Sequence, residues 1–345
     1  MSNQGLYVYG IIPTYYPAEN FRELDRFHVI NIPYRKISAI VSESSVIDYK
    51  QLGTQPLAKL LIDHQKMIES IMNIGFTAII PMRLGTFVNN TSKMLKILEK
   101  GYDLIMEIME NIVNMVEIEL VSTWADFDQV LLEISTNQQV IEMKTEIEER
   151  KKVTQSDQLI IGYLIKRILD ETRKEYAKNI INVLEPICKS SRQHEVLNDQ
   201  MISNTAFLIN QSKLDLFEQT LNKLDTELNR KVNFKLVGPL PCYSFYTLEV
   251  KELDFNEIEE AKKELGLNAL ASEKKIKQAY LNKVKLFHPD KNSSKNSTET
   301  FNRIKKAYQT MLDYINAVKP ASFEEQFSLL IDAVSENLFF LRIKE

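Results

Sequence analysis

The spacing of apolar residues divides the N-terminal third of the chain into strands and helices. Apolar residues at steps of three and four predict a helix that carries Leu57 to Ile71 on one face, and a longer helix at Ser92–Val116. Runs of β-branched and aromatic residues predict strands at Leu6–Ile12, Phe27–Ile32, Ile37–Ser42 and Phe76–Pro81. We expect these elements to form an N-terminal α+β domain at residues 1–115.

A second mixture of strands and helices follows, and it predicts another domain at residues 116–250. The predicted elements are a strand at Val116–Val121, helices across Gln138–Lys189, a strand at Thr205–Asn210, a helix at Leu214–Leu228, and strands at Val232–Val237 and Tyr243–Val250 on either side of a turn at 238–241. The order strand, long helix, strand, helix, strand is typical of a split β-α-β arrangement. We therefore expect a ferredoxin-like α+β fold here.

The C-terminal part of the chain changes to short, lysine-rich helices. A helix at Asn256–Leu265 ends at Gly266, a residue suited to a C-terminal cap. A second helix at Ser272–Phe287 ends before Pro289, because proline disfavours helical backbone in the preceding residue and has no N–H to donate. A third helical pattern follows the loop at 292–297. Mutual burial of the apolar stripes predicts a small all-α module at residues 256–318.

The last part of the sequence, residues 321–345, predicts one more element. Apolar residues recur at helical spacing from Ser322 to Phe340, and Ser322 with Glu325 has the spacing of a capping box. We expect an amphipathic C-terminal helix.

Composition and charge limit the classes of function and partner that fit the chain. The chain is 44% apolar and 26% charged, which is ordinary for a soluble globular protein. Residues 261–318 contain 12 basic and 5 acidic side chains, a net charge of +7, whereas the rest of the chain has −11. This asymmetry disfavours nucleic-acid binding and favours an acidic protein partner for the C-terminal module. Lysine-rich helices that only face solvent produce the same pattern.

The sequence predicts an intracellular protein without membrane insertion. Cys188 and Cys242 are far apart in the chain, which fits a reducing compartment and not a disulfide scaffold. The N-terminus does not have a basic stretch followed by an apolar run, and no apolar run approaches the ~20 residues that a membrane helix needs.

Motifs for enzymatic chemistry are missing from the sequence. There is no phosphate-binding loop and no Gly-x-Ser-x-Gly. No metal or cofactor is expected, since the four histidines do not have zinc-ligand spacing; they are His28, His64, His194 and His288. His64 lies on an apolar helix face, where a hydrogen-bonded structural histidine is favoured. Arg83 is either functional or part of a structural ion pair. An enzyme using His64 and Arg83 would require a pocket near both residues that contains a side chain with a shifted pKa.

Four motifs in the C-terminal module indicate a family. They are Leu265-Gly266-Leu267, Ile276-Lys277-Gln278-Ala279-Tyr280, His288-Pro289-Asp290-Lys291-Asn292 and Phe301-x-x-Ile304-x-x-Ala307-Tyr308. Residues 259–315 thereby resemble the J-domain of DnaJ-type co-chaperones, and we call residues 256–318 the J-like module. The resemblance implies binding to a DnaK-type chaperone and stimulation of its ATP hydrolysis. The implied chaperone-binding residues are His288, Pro289, Asp290, Lys274, Lys277, Lys283 and Lys285.

Residues 6–250, which we call the F/L region, resemble a second family. The matching stretches are Tyr7-Val8-Tyr9-Gly10-Ile11, Ala39-Ile40-Val41-Ser42, His64-Gln65, the stretch from Ile79 to Thr86, Glu119-Leu120 to Trp124, and the stretch from Val237 to Phe245. They resemble the gas vesicle protein F/L family. At the position of Cys242, many members of that family have a second proline. The corresponding motif positions are His64, Pro81, Arg83, Gly85, Trp124, Gly238, Pro239 and Tyr243.

The F/L resemblance implies a two-domain α+β protein that is a minor component of gas vesicles. Such a protein would bind the hydrophobic shell protein and other gas vesicle proteins, limit shell-protein aggregation and help to nucleate the vesicle. The J-like module would recruit a DnaK-type chaperone to this cytoplasmic site. In the alternative, the protein is structural and the J-like module is only a docking surface. The C-terminal helix either packs on the F/L region or holds a shell-protein helix in a groove.

Overall fold

The computed structural model describes residues 4–47, 49, 52–149, 153–268, 270–287, 295–318, 327–328 and 338–344. The chain forms two compact units. Unit 1 contains residues 1–85 and 106–247, and unit 2 contains residues 86–105 and 248–345. Among the described residues, no helix has both the length and the apolar character needed to cross a membrane.

Helices and strands alternate through both units, so the predicted α+β class is confirmed. The helices within the described ranges are α1 (Ala18–Glu23), α2 (Thr54–Asn73), α3 (Thr91–Lys100), α4 (Tyr102–Ile112), α5 (Phe127–Ser135), α6 (Gln138–Glu148), α7 (Gln155–Leu184), α8 (Leu214–Glu227), α9 (Tyr243–Tyr246), α10 (Phe255–Leu265), α11 (Glu273–Phe287) and α12 (Lys295–Val318). The strands are β1 (Gln4–Pro13), β2 (Ile30–Tyr34), β3 (Ile37–Ser45), β4 (Ile80–Pro81), β5 (Phe87–Val88), β6 (Met115–Trp124), β7 (Ser190–His194), β8 (Met201–Asn210), β9 (Val232–Leu240), β10 (Leu248–Glu252), β11 (Leu270–Ala271), β12 (Phe327–Ser328) and β13 (Phe339–Ile343).

The N-terminal part of unit 1 is an antiparallel sheet in the order β2-β3-β1-β4. Its core contains Ile12 and Ile40 from the sheet and Ile68 from α2. The pairing of β1 with β3 shifts register between Val8 and Gly10. A Cβ atom at Gly10 would lie 2.8 Å from the Ile80 carbonyl oxygen, so only glycine allows β4 to approach β1 this closely.

The C-terminal part of unit 1 has the predicted ferredoxin-like topology. Its sheet has the order β7-β8-β6-β9 and every neighbouring pair is antiparallel. Helices α5 to α7 connect β6 to β7, and α8 connects β8 to β9, which gives the β-α-β-β-α-β order of that fold. Phe207, Phe217 and Leu221 are among the buried residues between the sheet and its helices. The polar strand β7 lies at the sheet edge, in a stretch between Lys189 and Thr205 for which the sequence predicted no helix or strand.

Unit 2 combines the J-like module with a segment of the F/L region. Helices α10, α11 and α12 share one apolar core that includes Ile258, Ile276 and Ile304. Asp254 caps α10 by accepting hydrogen bonds from the N–H groups of residues 256 and 257, and Gly266 ends it in the left-handed conformation at φ 69°. Strand β10 pairs with β13, and α3 contacts β13. The short strand β11, just before α11, pairs with β12.

The helix predicted at Ser92–Val116 is two helices, α3 and α4, separated by Gly101. Glycine is a poor helix former. Because it has no side chain, Gly101 also leaves space for a neighbouring strand. A Cβ atom at Gly101 would lie 2.7 Å from Leu341 Cδ2 of β13. The break therefore lets β13 pack closely against the end of α3.

The turn predicted at 238–241 and the strand predicted to follow it are both different in the structure. Strand β9 continues through the cis Gly238–Pro239 bond to Leu240, which pairs with Glu117, because β6 shifts register at this position. Residues 243–246 are helical, with a hydrogen bond from Tyr246 N–H to the Cys242 carbonyl (2.9 Å), and β10 begins only at Leu248.

The C-terminal helix predicted up to Phe340 is wrong for its last residues, because Phe339–Ile343 form strand β13. The apolar residues at 339–341 find a partner strand in β10, in register from Leu248–Ile343 to Glu252–Phe339. Paired backbone and burial of Phe339, Phe340 and Leu341 outweigh the helical spacing. Most of the predicted helix, at 322–326 and 329–337, lies outside the described residues.

Candidate functional site

Helix α11 is fixed in the J-like module by one of its faces. Its N-terminus is capped by Ser272, whose hydroxyl accepts a hydrogen bond from Lys275 N–H (3.2 Å). Ile276 is fully buried in the core of the J-like module. The ring of Tyr280 stacks on that of Tyr308 in α12, with centroids 4.2 Å apart. Because Ile276 and Tyr280 are one helical turn apart, the opposite face of α11 points to solvent.

The solvent-facing side of α11 carries Lys274, Lys277, Leu281 and Lys285, and we call these four residues the basic face. They recur at steps of three and four, and all are exposed, Leu281 to 45%. No described residue forms an ion pair with these lysines. Lys283 was predicted to act with them, but it is half-buried and lies seven residues from Ile276, on the packed side of α11. The structure therefore brings three of the four predicted lysines together.

The residues predicted to act beside the basic face are His288, Pro289 and Asp290. They follow the last residue of α11 directly, but they lie outside the described residues. Their proposed contacts with a chaperone stay a prediction. What the structure describes is the helix that leads to them and the cationic surface on it.

The J-like module is joined to strand β10 through only two residues, Leu253 and Asp254, before α10 begins. Leu253 N–H donates to the Leu338 carbonyl (2.9 Å), and both residues pack on the core of the J-like module. Lys251 of β10 forms an ion pair with the buried Asp313 of α12 (2.7 Å). Arg342 of β13 pairs with Glu249 of β10 at 2.5 Å. These contacts fix the helices to the β10–β13 pair within unit 2.

In unit 1, a cleft of about 190 Å³ brings together residues from three of the matching stretches of the F/L region: Tyr7 and Tyr9, Ser42, and His64. Its lining, which we call the tyrosine cleft, consists of Tyr7, Tyr9, Ser42, Ser44, Ile47, Tyr49, Leu60, Asp63, His64 and Met67. The Tyr7 hydroxyl is hydrogen-bonded to His64 Nδ1 (2.6 Å), and the ring of Tyr9 stacks on the imidazole with centroids 5.8 Å apart. The sequence did not predict that these stretches meet.

His64 is a buried, hydrogen-bonded histidine in this cleft. Burial lowers its pKa to about 4, so the imidazole is neutral near pH 7. Burial, together with the neighbouring Tyr49, raises the pKa of Tyr7, which keeps its hydroxyl protonated. Arg83 is exposed and is not among the described residues that line this cleft with His64.

Gly85, another motif position, lies beside the same cleft. Its φ of +84° is one that side chains rarely adopt, and a Cβ atom there would lie 2.8 Å from Tyr49 Cδ2. The glycine therefore lets the chain pass directly over the Tyr49 ring. Pro81, earlier in the same motif, is buried in β4 and pairs with Gly10 of β1.

The motif at 237–245 packs around a buried carboxyl group that sequence analysis missed. Glu117 of β6 accepts hydrogen bonds from both the backbone N–H and the hydroxyl of Ser244, each 2.7 Å long. His194 Nε2 lies 3.1 Å from the same hydroxyl. Burial raises the pKa of Glu117 to about 7. The only sequence signal was a glutamate between Val116 and Ile118 in a strand whose neighbouring side chains are apolar.

The remaining motif positions have roles in packing. Gly238 has a φ of +143°, and a Cβ atom on it would lie 2.8 Å from the Glu117 carbonyl oxygen. Pro239 follows it on the exposed side of β9. Trp124 is buried and meets the Tyr176 ring edge to face at 5.0 Å. Tyr243 packs on the core of the N-terminal sheet. Within the described ranges, no group of three His, Cys, Asp or Glu residues could hold a metal ion.

Comparisons with known proteins find separate matches for the F/L region and the J-like module. The family model for gas vesicle synthesis protein GvpL/GvpF matches residues 5–247, and that for the DnaJ domain matches residues 263–316. Gas vesicle protein F of Nostoc sp. (strain PCC 7120) is 24% identical over 245 residues, which are 70% of this chain and 98% of the relative. The corresponding protein of Dolichospermum flosaquae is 22% identical and covers 71% of this chain and 98% of its own length.

Solved structures show the same fold. The crystal structure of gas vesicle protein GvpF from Anabaena sp. PCC7120 matches with a TM-score of 0.58 at 21% identity, over 71% of this chain and 98% of that one. GvpF from Microcystis aeruginosa matches with a TM-score of 0.55 at 19% identity, over 70% and 99%. The family is one of gas vesicle proteins and not of enzymes, and the DnaJ domain is a co-chaperone module. The chain thus belongs to the GvpL/GvpF family of gas vesicle synthesis proteins and carries a DnaJ domain at its C-terminal side.

Proposed function

We propose that this protein is a gas vesicle assembly factor that brings a DnaK-type chaperone to the vesicle shell protein. The F/L region binds the hydrophobic shell protein and limits its aggregation. The J-like module recruits the chaperone and stimulates its ATP hydrolysis. The protein acts at the gas vesicle in the cytoplasm and needs no cofactor, because its partner hydrolyses the ATP.

The basic face of α11 is the observation that carries this proposal. Lys274, Lys277 and Lys285 are exposed, have no ion-pair partner among the described residues, and surround the exposed Leu281. Such a surface attracts an acidic partner, accelerates its association and loses strength as salt concentration rises. An apolar residue at the centre of this surface adds area from which water is excluded when the partner binds.

The His288-Pro289-Asp290 tripeptide supplies the specific part of the contact in this proposal. The Asp290 carboxylate accepts two hydrogen bonds from an arginine of the chaperone, a geometry that lysine does not reproduce. Pro289 restricts the backbone, so less conformational entropy is lost on binding. The tripeptide follows the last residue of α11 in the sequence without an intervening residue.

In this proposal, the fusion of the F/L region with the J-like module holds the client and the chaperone in one complex. A client bound to the F/L region and a chaperone bound to the J-like module are present in one complex at an effective concentration of about millimolar. Chaperone and shell protein therefore meet without a second diffusional encounter.

One observation favours the alternative, in which the protein is structural and the J-like module is only a docking surface. Strands β10 and β13 and the Lys251–Asp313 ion pair build the helices into unit 2. A purely architectural use of the helices would need this integration. It would not need an exposed, unpaired cluster of lysines.

Aggregation of purified shell protein, followed by light scattering, tests the coupled function. The wild-type protein should slow aggregation on its own, and adding DnaK-type chaperone with ATP should slow it further. Asp290→Asn should retain the first effect and lose the second, because the substitution removes only a carboxylate charge. Point substitution is preferable to deletion of the J-like module, since its helices share a core with Leu253 and Leu338.

Two results would contradict the proposal. If the chaperone and ATP add nothing to the wild-type protein, the alternative structural role is the better account. If the protein alone does not slow aggregation, the shell protein is not its client.

A further inference from the structure

The tyrosine cleft of unit 1 has a lining that suits a cation. Three aromatic rings, those of Tyr7, Tyr9 and Tyr49, line it together with the carboxylate of Asp63. The ring planes of Tyr7 and Tyr9 form an angle of 70°, with ring centroids 4.9 Å apart. Aromatic rings attract cations through the negative potential of their faces, and a carboxylate adds a full negative charge.

The charged groups among the described lining residues are of one sign. These residues include no lysine and no arginine, and their single histidine, His64, is neutral. Asp63 is exposed and forms no ion pair with the residues that the structure describes. The described lining residues therefore include one acidic side chain and no basic side chain to balance it.

The size and the remaining surface of the cleft suit a long amino-acid side chain. Its volume of about 190 Å³ is below the range of about 300–1,000 Å³ that is typical of pockets for drug-sized ligands. Ile47, Leu60 and Met67 supply an apolar wall that matches a methylene chain, and the hydroxyls of Ser42 and Ser44 can accept hydrogen bonds.

We propose that the tyrosine cleft binds an arginine side chain presented by a partner protein. The planar guanidinium lies against a tyrosine ring, donates two parallel hydrogen bonds to Asp63 and uses its remaining N–H groups on the serine hydroxyls. Its methylene stem contacts the apolar wall. Lysine fits less well, because an ammonium group is more strongly hydrated and cannot form the planar two-point contact.

This site is separate from the proposed chaperone-binding face. It lies in unit 1, whereas the basic face lies in unit 2, and it recognises a positive group where the basic face recognises a negative one. A failure to bind a chaperone would leave the arginine site untouched, and the reverse also holds.

A titration with Nα-acetyl-L-arginine N-methylamide tests the proposal on the full-length protein. The tyrosine rings are labelled with ¹³C and observed by NMR, so that the chemical shifts locate the binding site among the 14 tyrosines of the chain. Signals of Tyr7, Tyr9 and Tyr49 should move. The citrulline analogue has the same shape without the charge, and it should bind about tenfold more weakly.

Asp63→Asn provides the decisive variant, because the residue is exposed and the change keeps its shape. It should weaken binding of the arginine compound about tenfold and remove the difference from citrulline. Asp128→Asn, which changes an exposed carboxylate on α5, is the matched control and should leave the affinity unchanged.

Two outcomes would overturn the site: equal affinity for arginine and citrulline compounds, or unchanged arginine binding in Asp63→Asn. Shifts confined to other tyrosines would overturn it as well. Tyr49→Leu gives an independent check through loss of one ring. Unfolding midpoints of all variants show whether each one is folded.

Discussion

Several motif positions of unit 1 and the lysines that the J-domain resemblance implies in unit 2 lie in different environments. In unit 1, Trp124 is buried in the core, His64 is buried beside Tyr7, and Gly238 touches the backbone of Glu117. In unit 2, the motif-bearing helix α11 presents Lys274, Lys277 and Lys285 to solvent. The first set is fixed by contacts within the chain, whereas the second has no contact within the described residues that would require its charge.

This difference separates two kinds of motif. A buried tryptophan or histidine, or a glycine in close contact with another backbone, is explained by packing, so it identifies a fold without identifying an activity. A cluster of exposed, like-charged residues is unfavourable for the folded chain alone because the charges repel each other. Binding of an oppositely charged partner explains such a cluster. Substitutions in unit 1 should therefore change stability, and those on the basic face should change binding. The predictions below run from the largest expected effect on stability to the smallest.

Trp124→Ala should have the largest effect, a loss of about 3–5 kcal/mol in the free energy of unfolding. The substitution removes a side chain that is 5% exposed and leaves a cavity beside Tyr176. Urea unfolding followed by circular dichroism measures it. Tyr163→Ala removes an aromatic ring that is 75% exposed and should change stability by less than about 0.5 kcal/mol. Similar losses in both variants would contradict the packing role of Trp124.

Glu117 should make stability depend on pH. Its folded-state pKa of about 7 lies above the ordinary value of 4.5, so the folded protein retains a proton that the unfolded chain has released. The contribution of Glu117 to the free energy of unfolding should therefore fall as pH rises from about 4.5 to 7, by about 3 kcal/mol in total. The lowered pKa of His64 has the opposite effect, so Glu117 is isolated by comparing the variant with the wild type. Relative to Glu117→Gln, the wild-type protein should lose this stability between pH 5 and pH 8, as measured by urea unfolding. Glu146→Gln, at an exposed glutamate of α6, should show the same loss as the wild type; an equal pH dependence in Glu117→Gln and the wild type would assign it to another group.

Gly238→Ala should destabilise unit 1 by about 2–3 kcal/mol, because a Cβ atom would meet the Glu117 carbonyl oxygen and Ile118 Cδ1 at 2.8 Å in a backbone conformation that alanine disfavours. Gly162→Ala is the matched control on α7, where a Cβ atom has nothing within 4 Å. Alanine is the better helix former, so this variant should be stabilised by up to about 1 kcal/mol. Thermal unfolding of the two variants compares them; loss of stability at both positions would show that crowding at Gly238 is not the cause.

Charge reversal on the basic face should have the smallest effect on stability. Lys274→Glu, Lys277→Glu and Lys285→Glu should each change the free energy of unfolding by less than about 0.5 kcal/mol, since the side chains are exposed. The same variants should weaken chaperone binding, measured by calorimetry, and flatten its dependence on salt. Lys305→Glu on the exposed side of α12 should leave both unchanged. Equal weakening by Lys305→Glu would mean that only net charge matters.

Local pattern predicted much of this fold, because the spacing of apolar residues follows the helix and strand repeats. Periodicity identified α11, and the same spacing places Lys283 on the side of Ile276, away from the other three predicted lysines. Strand β7 was missed, because Ser190–His194 is polar and lies at a sheet edge with a partner on one side only. Strand β13 was missed because its partner β10 is about 90 residues earlier in the chain, and the pattern within 339–343 carries no sign of it.

The candidate sites differ in the same way. The basic face lies on one helix, so helical spacing alone predicts it. The tyrosine cleft joins residues from β1, β3, α2 and Tyr49, and only the register of β1 on β3 brings Tyr9 beside Ser42, whose hydroxyls lie 3.2 Å apart. The buried Glu117 likewise depends on the pairing of β6 with β9 and on the helical turn that carries Ser244. No local pattern contains that information.

Single-turnover ATP hydrolysis by a DnaK-type chaperone from the same cell tests the central claim most directly. The rate is measured with the wild-type protein, with His288→Gln and without either. We predict that the wild-type protein raises the rate, that His288→Gln does not, and that both proteins have the same unfolding midpoint. An equal rate with and without the wild-type protein would contradict the co-chaperone function and leave the J-like module as a docking surface.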